Sequence, residues 1–122
     1  MARLSDHFTR HELACHCCGQ CNVSPRLIDA LEALREKLGN VPIHVTSGCR
    51  CVSHNEAVGG VPFSRHTVGE AADIVAEGVD PIEVAMAAEG VTAIRNGGLG
   101  LYSSFVHIDV GHGADRPARW NK

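Results

Sequence analysis

Aromatic side chains are scarce in this chain, which has one Trp, one Tyr and three Phe among 122 residues. A core assembled around large rings is therefore excluded, and Leu, Val, Ile and Ala must supply the packing. Long hydrophobic runs are also missing, so no segment is expected to span a membrane. Met1 to His7 lacks the apolar stretch of a secretory signal. The expectation from that start is a product made in the cytoplasm without an export signal. An excess of basic residues is absent too, with 11 Lys and Arg against 14 Asp and Glu. A nucleic-acid partner, which normally calls for a basic face, is thereby disfavoured. No repeat, heptad or low-complexity linker interrupts the chain. With 44% hydrophobic residues, a single globular domain over 1–122 and a monomer are expected.

Cysteine is what the chain has in quantity. Four of its six cysteines lie at Cys15, Cys17, Cys18 and Cys21, and two at Cys49 and Cys51. Without an export signal, reduced or metal-bound thiols are the default. A small zinc knuckle using Cys15, Cys17 or Cys18, and Cys21, closed by His16 or by a distant cysteine, competes with disulfides and with buried thiols. Spacing does not settle the connectivity.

The remaining punctuation reads as short elements. Phe8 and Leu13 mark an N-terminal arm that docks two apolar side chains. Ser24-Pro25 opens a helix whose Leu27, Ile28, Leu31, Leu34 and Leu38 share one stripe, stopped by Gly39-Asn40. Val41 to Thr46 reads as a strand, with His44 a packed or surface residue. Val52 to Val58 reads as a short helix ended by Gly59-Gly60. Asp80-Pro81 caps a further helix ended by Gly90. Asn96-Gly97-Gly98 reads as a hairpin-like turn, and the polar tail folds back Trp120 as an anchor. Two or three helices with short strands joined by hairpin-type turns imply an α+β domain with a small antiparallel sheet.

The chemistry concentrates at residues 64–73 and 105–111. His66 and Asp73 carry good ligand atoms for a zinc-like ion and bracket a glycine and two alanines. Phe105 to Gly111 alternates as a half-buried strand does, so His107 and Asp109 point to one face. Together these residues supply a His/Asp/His site. Arg50, turning out of the strand before it, offers a guanidinium fork suited to a peptide carboxylate.

The spaced motif Ser64-x-His66-x-x-Gly69-x-Ala71-x-Asp73, followed by His107 in a strand, resembles the zinc D-Ala-D-Ala carboxypeptidase family of peptidoglycan peptidases. That superfamily also holds the penicillin-insensitive murein endopeptidases and the Hedgehog signalling domain. Thr46-Ser47-Gly48-Cys49-Arg50, and the ending Phe105 to Gly111 with Trp120, resemble its small bacterial and phage branch. The resemblance covers roughly residues 8–120. It implies a Hedgehog/DD-carboxypeptidase-like fold and one catalytic Zn2+ on His66, Asp73 and His107. It also implies hydrolysis of a cell-wall stem-peptide bond by zinc-activated water, after lysis or export by another route. Arg50 and Ser64 would hold the substrate.

Many relatives place an acidic residue three positions before the last histidine ligand, where this chain has Ser104. Asp109 is the remaining candidate for general base. The converse, with Asp109 as ligand and His107 as base, stays open, and Glu70 and His112 are weaker alternatives. Two other functions compete. One is a non-catalytic zinc module that recognises the wall, and the other is a cysteine-rich knuckle that binds protein or nucleic acid.

Overall fold

The computed structural model describes residues 3–19, 22–60 and 64–121. Its element order is α1 (Arg10–Leu13), α2 (Pro25–Lys37), β1 (Ile43–Ser47), α3 (Val52–Ala57), a 3-10 turn (Arg65–Val68), β2 (Ala71–Ala76), α4 (Pro81–Ala88), α5 (Thr92–Arg95), β3 (Gly98–Leu101), β4 (Val106–Asp109) and β5 (Ala118–Asn121). The α+β class expected from the sequence is the class observed.

Local chemistry sets the long helix. Ser24 accepts a hydrogen bond from the Arg26 N–H, and Pro25 occupies the first helical position, where its missing N–H costs nothing. Leu27, Ile28, Leu31 and Leu34 are buried along one stripe. Burying each contributes about 1.5–3 kcal/mol relative to exposure. Gly39 and Asn40, with φ of 79° and 62°, end the helix in the left-handed region. The N-terminal arm docks as its composition predicts, with Phe8 and Leu13 fully buried and a Thr9/Glu12 capping box between them.

The five strands run in the order β1-β2-β4-β3-β5. Neighbouring pairs among the first four are antiparallel, while β5 joins β3 in parallel. The two faces of this sheet have opposite chemistry. Ala72, Ile74, Val106, Ile108 and Leu99 belong to the core shared with α2, α4 and α5. The other face carries Asp73 opposite His107, then Gly98 opposite Asp109 and Gly100 opposite His107. Period-2 alternation in β2 and β4 thus divides core from site residue by residue.

Several local expectations are corrected. Among the described residues the α-helices number five, but only α2 and α4 exceed six residues. The stretch after Gly90 forms α5, with Val91 and Ile94 turned inward to the core. The β3–β4 hairpin turns at Tyr102 to Phe105, where the Tyr102 N–H donates to the Phe105 carbonyl at 3.0 Å, not at Asn96-Gly97-Gly98. Asp80 precedes α4 without a side-chain capping bond. The tail is a true edge strand.

Candidate metal centre and its groove

Three elements bring the ligand-type side chains together. Ser64 begins the 3-10 turn, its hydroxyl accepting from the His66 N–H at 3.1 Å. Gly69 ends it at φ 72°, a conformation a glycine adopts without strain. A Cβ there would also lie 1.9 Å from the Asn22 carbonyl oxygen. This tight exit aims His66 across the end of β2, while Asp73 and His107 come from paired positions of β2 and β4.

His66 Nε2 lies 3.2 Å from Asp73 Oδ1, and His107 Nδ1 lies 3.1 Å from the same oxygen. One ligand atom from each of the three residues falls within 4.8 Å of the other two. Tetrahedral zinc with bonds of about 2.0–2.2 Å needs its ligands about 3.3–3.6 Å apart, so a small contraction or expansion of this cluster accommodates it. All three residues are buried, at 2%, 8% and 8% exposure for His66, Asp73 and His107.

The outward nitrogens are also fixed. His66 Nδ1 lies 2.8 Å from the Gly48 carbonyl, which can only accept, so Nδ1 carries the proton and Nε2 presents its lone pair. His107 Nε2 lies 2.8 Å from Asp109 Oδ2, leaving Nδ1 for the centre. A carbonyl or carboxylate behind each imidazole is the arrangement that orients metal-ligating histidines.

Asp109 is itself fully committed. Its Oδ1 accepts from the Gly111 N–H and Arg116 Nε, both at 3.0 Å, and its Oδ2 accepts from Arg116 Nη2 at 3.0 Å as well as facing His107. Burial raises the Asp109 carboxyl, but hydrogen bonds from His107 and Arg116 outweigh it and hold the group well below the usual carboxylate range. Asp73 is held low in the same way by His107 and His66 against its own burial. Burial pulls His107 down, yet Asp109 and Asp73 raise it above its ordinary value.

A groove of about 700 Å³ opens over this cluster, lined by Arg50, Ser64, Arg65, Asp115, Arg116 and Trp120 as well as the three central residues. Arg50 reaches it with all three nitrogens engaged, Nε to Ser47 Oγ at 3.1 Å, Nη1 to Asn55 Oδ1 at 3.1 Å and Nη2 to Asp73 Oδ2 at 3.3 Å. Arg65 bridges Glu70 Oε1 at 3.1 Å and Asp115 Oδ1 at 2.8 Å. Glu70 is thus tied into an ion pair, whereas the His112 side chain is 73% exposed. His44 lies at the surface near Glu77. Trp120, across from Gly100 on β5, sets its ring 4.9 Å from that of His107 and donates to the Tyr102 hydroxyl at 3.1 Å.

Sequence reasoning missed Arg116, Arg65 and Asp115. Arg65 lies within the 64–73 motif but offers no metal-ligand atom, while Arg116 and Asp115 sit in a stretch whose composition reads as solvated tail; there Asp115 stays exposed and Arg116 turns inward to Asp109. The glycines of β3 carried a signal. At Gly98 a Cβ would fall 2.1 Å from Asp109 Oδ2, and at Gly100 2.4 Å from the Trp120 ring. Glycine at alternate strand positions marks a face where other groups come close.

A second cluster of ligand-type side chains is formed by the thiols. Cys15, Cys18 and Cys51 hold their sulfurs within 4.8 Å of one another. Burial raises the Cys15 thiol, but hydrogen bonds from the Cys51, Cys18 and Cys17 backbones and the Cys18 side chain bring it down to about 7. Cys49 packs into the hydrophobic core. Cys21 lies outside the described residues.

An α+β domain with two histidines and one carboxylate converging under an arginine-lined groove has the make-up of a mononuclear metal site open on one side. The family model for peptidase M15 matches residues 6–109, and the chain belongs to that family. It is 38% identical over 85 residues to a zinc D-Ala-D-Ala carboxypeptidase of Streptomyces albus G. That match covers 68% of this chain and 33% of the relative, so the chain spans about a third of that protein's length.

Proposed function

We propose that the chain is a zinc-dependent peptidase of the cell wall, cutting a peptide bond of the peptidoglycan stem peptide in the manner of a D-Ala-D-Ala carboxypeptidase or an endopeptidase such as an endolysin. The observation that carries this reading is the convergence of His66 Nε2, Asp73 and His107 Nδ1 at the floor of an arginine-lined groove. Family membership and the carboxypeptidase relative support it.

In this reading His66, Asp73 and His107 hold the ion. Zinc supplies Lewis acidity there, polarising a scissile carbonyl and acidifying water. Arg50 donates to Asp73 Oδ2 and faces the groove, so it both steadies the ligand set and meets a substrate carboxylate or carbonyl. Ser64 lines the groove, its hydroxyl oxygen accepting from the His66 N–H, and offers its hydroxyl to the substrate. Asp109 acts through His107 as a positioning residue, because it is wholly buried behind the ring and does not line the groove. Of the carboxylates lining the groove, Asp73 belongs to the ligand set, and Asp115, an exposed side chain paired with Arg65 and Arg116, is the one in reach of groove water to exchange the proton.

Purified sacculi incubated with the zinc-loaded protein should release new amino termini or free D-alanine. Mass spectrometry of the fragments identifies the bond. A chelator and His66→Ala should each abolish release. Intact sacculi after treatment with protein of verified zinc content would remove the hydrolase reading.

A second reading is a zinc-binding module that recognises the wall without cutting it. It is favoured by the four contacts that occupy Asp109 and by Ser104 at the position where many relatives carry an acid. Co-sedimentation with sacculi without fragment release is its expected outcome.

A further inference from the structure

We propose that Cys15, Cys18 and Cys51 form a second metal site, a structural thiolate centre for a zinc-class ion, separate from the histidine cluster. The three sulfurs already lie within 4.8 Å of one another. A tetrahedral zinc with Zn–S bonds of about 2.3 Å needs sulfurs about 3.8 Å apart, which modest side-chain rotation supplies. Cys17 is the next described thiol in reach, hydrogen-bonding to the Cys51 side chain.

The backbone around these thiols is shaped for such a centre. Residues 15–19 run Cys-x-x-Cys-Gly, and the Gly19 N–H closes the turn on the Cys15 carbonyl at 2.8 Å. Gly19 has φ of 74°, so the chain leaves the second cysteine through a left-handed residue. Backbone N–H groups then point at sulfur. The Cys51 N–H donates to Cys15 Sγ, and the His54 N–H to Cys51 Sγ, each at 3.4 Å. Such donors stabilise thiolate over thiol. Metal binding releases the remaining thiol protons to solvent, and no oxidant is needed.

The consequence reaches the groove. Cys51 adjoins Arg50, whose own N–H bonds to the His66 carbonyl at 3.0 Å, and the Cys49 N–H bonds to Leu13 at 2.7 Å. An ion at the thiols would clamp the N-terminal arm to the turn that carries Arg50.

The test uses the intact protein, produced and purified under reducing, metal-replete conditions, then exchanged with cobalt(II). Expected are two cobalt ions per chain and an intense near-ultraviolet sulfur-to-cobalt charge-transfer band. That band should persist in His66→Ala, which keeps one ion, and vanish in Cys51→Ser, which keeps the other. Loss of the histidine-bound ion alone would leave the band, so failure of the peptidase reading is read separately. One ion per chain with no charge-transfer band in the unsubstituted protein overturns the proposal. So does a thiol count showing that two of the three sulfurs have paired as a disulfide under those conditions. Both measurements are made on the wild-type chain, so a misfolded variant cannot obscure the answer.

Discussion

Arg116 grips Asp109 with two nitrogens, Nε 3.0 Å from Oδ1 and Nη2 3.0 Å from Oδ2. The Asp109 side chain is wholly buried and that of Arg116 is 12% exposed, so this pair lies largely outside the screening of water. Removing one partner of such a pair costs about 3–5 kcal/mol, because the other charge is stranded. Arg116→Ala should therefore lower the thermal midpoint substantially. It should also weaken zinc binding about 10–100-fold, since Asp109 no longer holds His107 in one orientation. Calorimetry and competitive chelation measure the two effects. An unchanged zinc affinity would show that the clasp does not act through His107.

Asp109 and Asp115 are separable by mutation. Asp109→Asn should reduce zinc affinity while leaving the acidic limb of the pH–rate profile in place. Asp115→Asn should leave zinc bound but lower kcat about 10²–10⁴-fold, the range of a lost general base. Retained zinc, abolished turnover and a missing acidic limb in Asp109→Asn would return the base to Asp109.

Gly98 offers a test of geometry alone. Gly98→Ala puts a methyl where Asp109 Oδ2 now sits, 2.1 Å from the ideal Cβ position. Asp109 has no room to retreat, because Arg116 and Gly111 hold its other oxygen. The variant should behave as a weakened Asp109 variant, with lower metal affinity, although no charged group has been changed. Wild-type zinc affinity in a folded Gly98→Ala protein would count against tight packing at that point.

Arg50 should not be replaceable by lysine. Its three nitrogens satisfy three different acceptors, Ser47, Asn55 and Asp73, and an ammonium at the end of a flexible stem reproduces at most part of that fork. Arg50→Lys and Arg50→Ala should both raise KM for a stem-peptide substrate and lower the melting temperature. Recovery of wild-type KM by lysine would reduce the arginine to a point charge.

Without metal, stability should depend on pH in opposite directions at the two ends. Asp73 and Asp109 are held below 3.8, so their contribution is complete above that pH and is lost as pH falls through the depressed folded values. His107 is raised above 6.5, so its contribution is complete below 6.5 and is lost as pH rises through the raised value. Chelated protein should thus be most stable between about pH 4 and 6.5. Zinc, which competes with the His107 proton, should extend the plateau toward neutrality and beyond. A melting temperature of chelated protein that climbs steadily from about pH 6.5 to 8 would contradict the ion-pair account.

Much of the candidate site was legible because its residues obey local periodicities. The alternation Val106-His107-Ile108-Asp109 placed two polar side chains on one face, and the same two-residue period buried Val106 and Ile108. Gly69 was legible because a left-handed turn leaves few choices of residue. Arg116 and Asp115 were not, because their importance arises from the crossover that brings β5 beside β3, and nothing local distinguishes them from solvated tail. The stretch Val91 to Ile94 carried no assignment for a related reason. A four-residue apolar stretch fits strand and helix alike, and packing against α2 and β3 decides. The cysteines were legible as a cluster but not as a pairing, since Cys51 joins Cys15 and Cys18 only through the docking of the N-terminal arm.

Asp73 and His107 are direct cross-strand partners, and each is flanked by residues of the apolar core. A slide of one position between these two strands would send an ionised carboxylate among the leucines and turn an isoleucine toward the arginines. Chelation is thus an audit of assembly, since a chain that has mispaired its central strands has nothing with which to seize the cation.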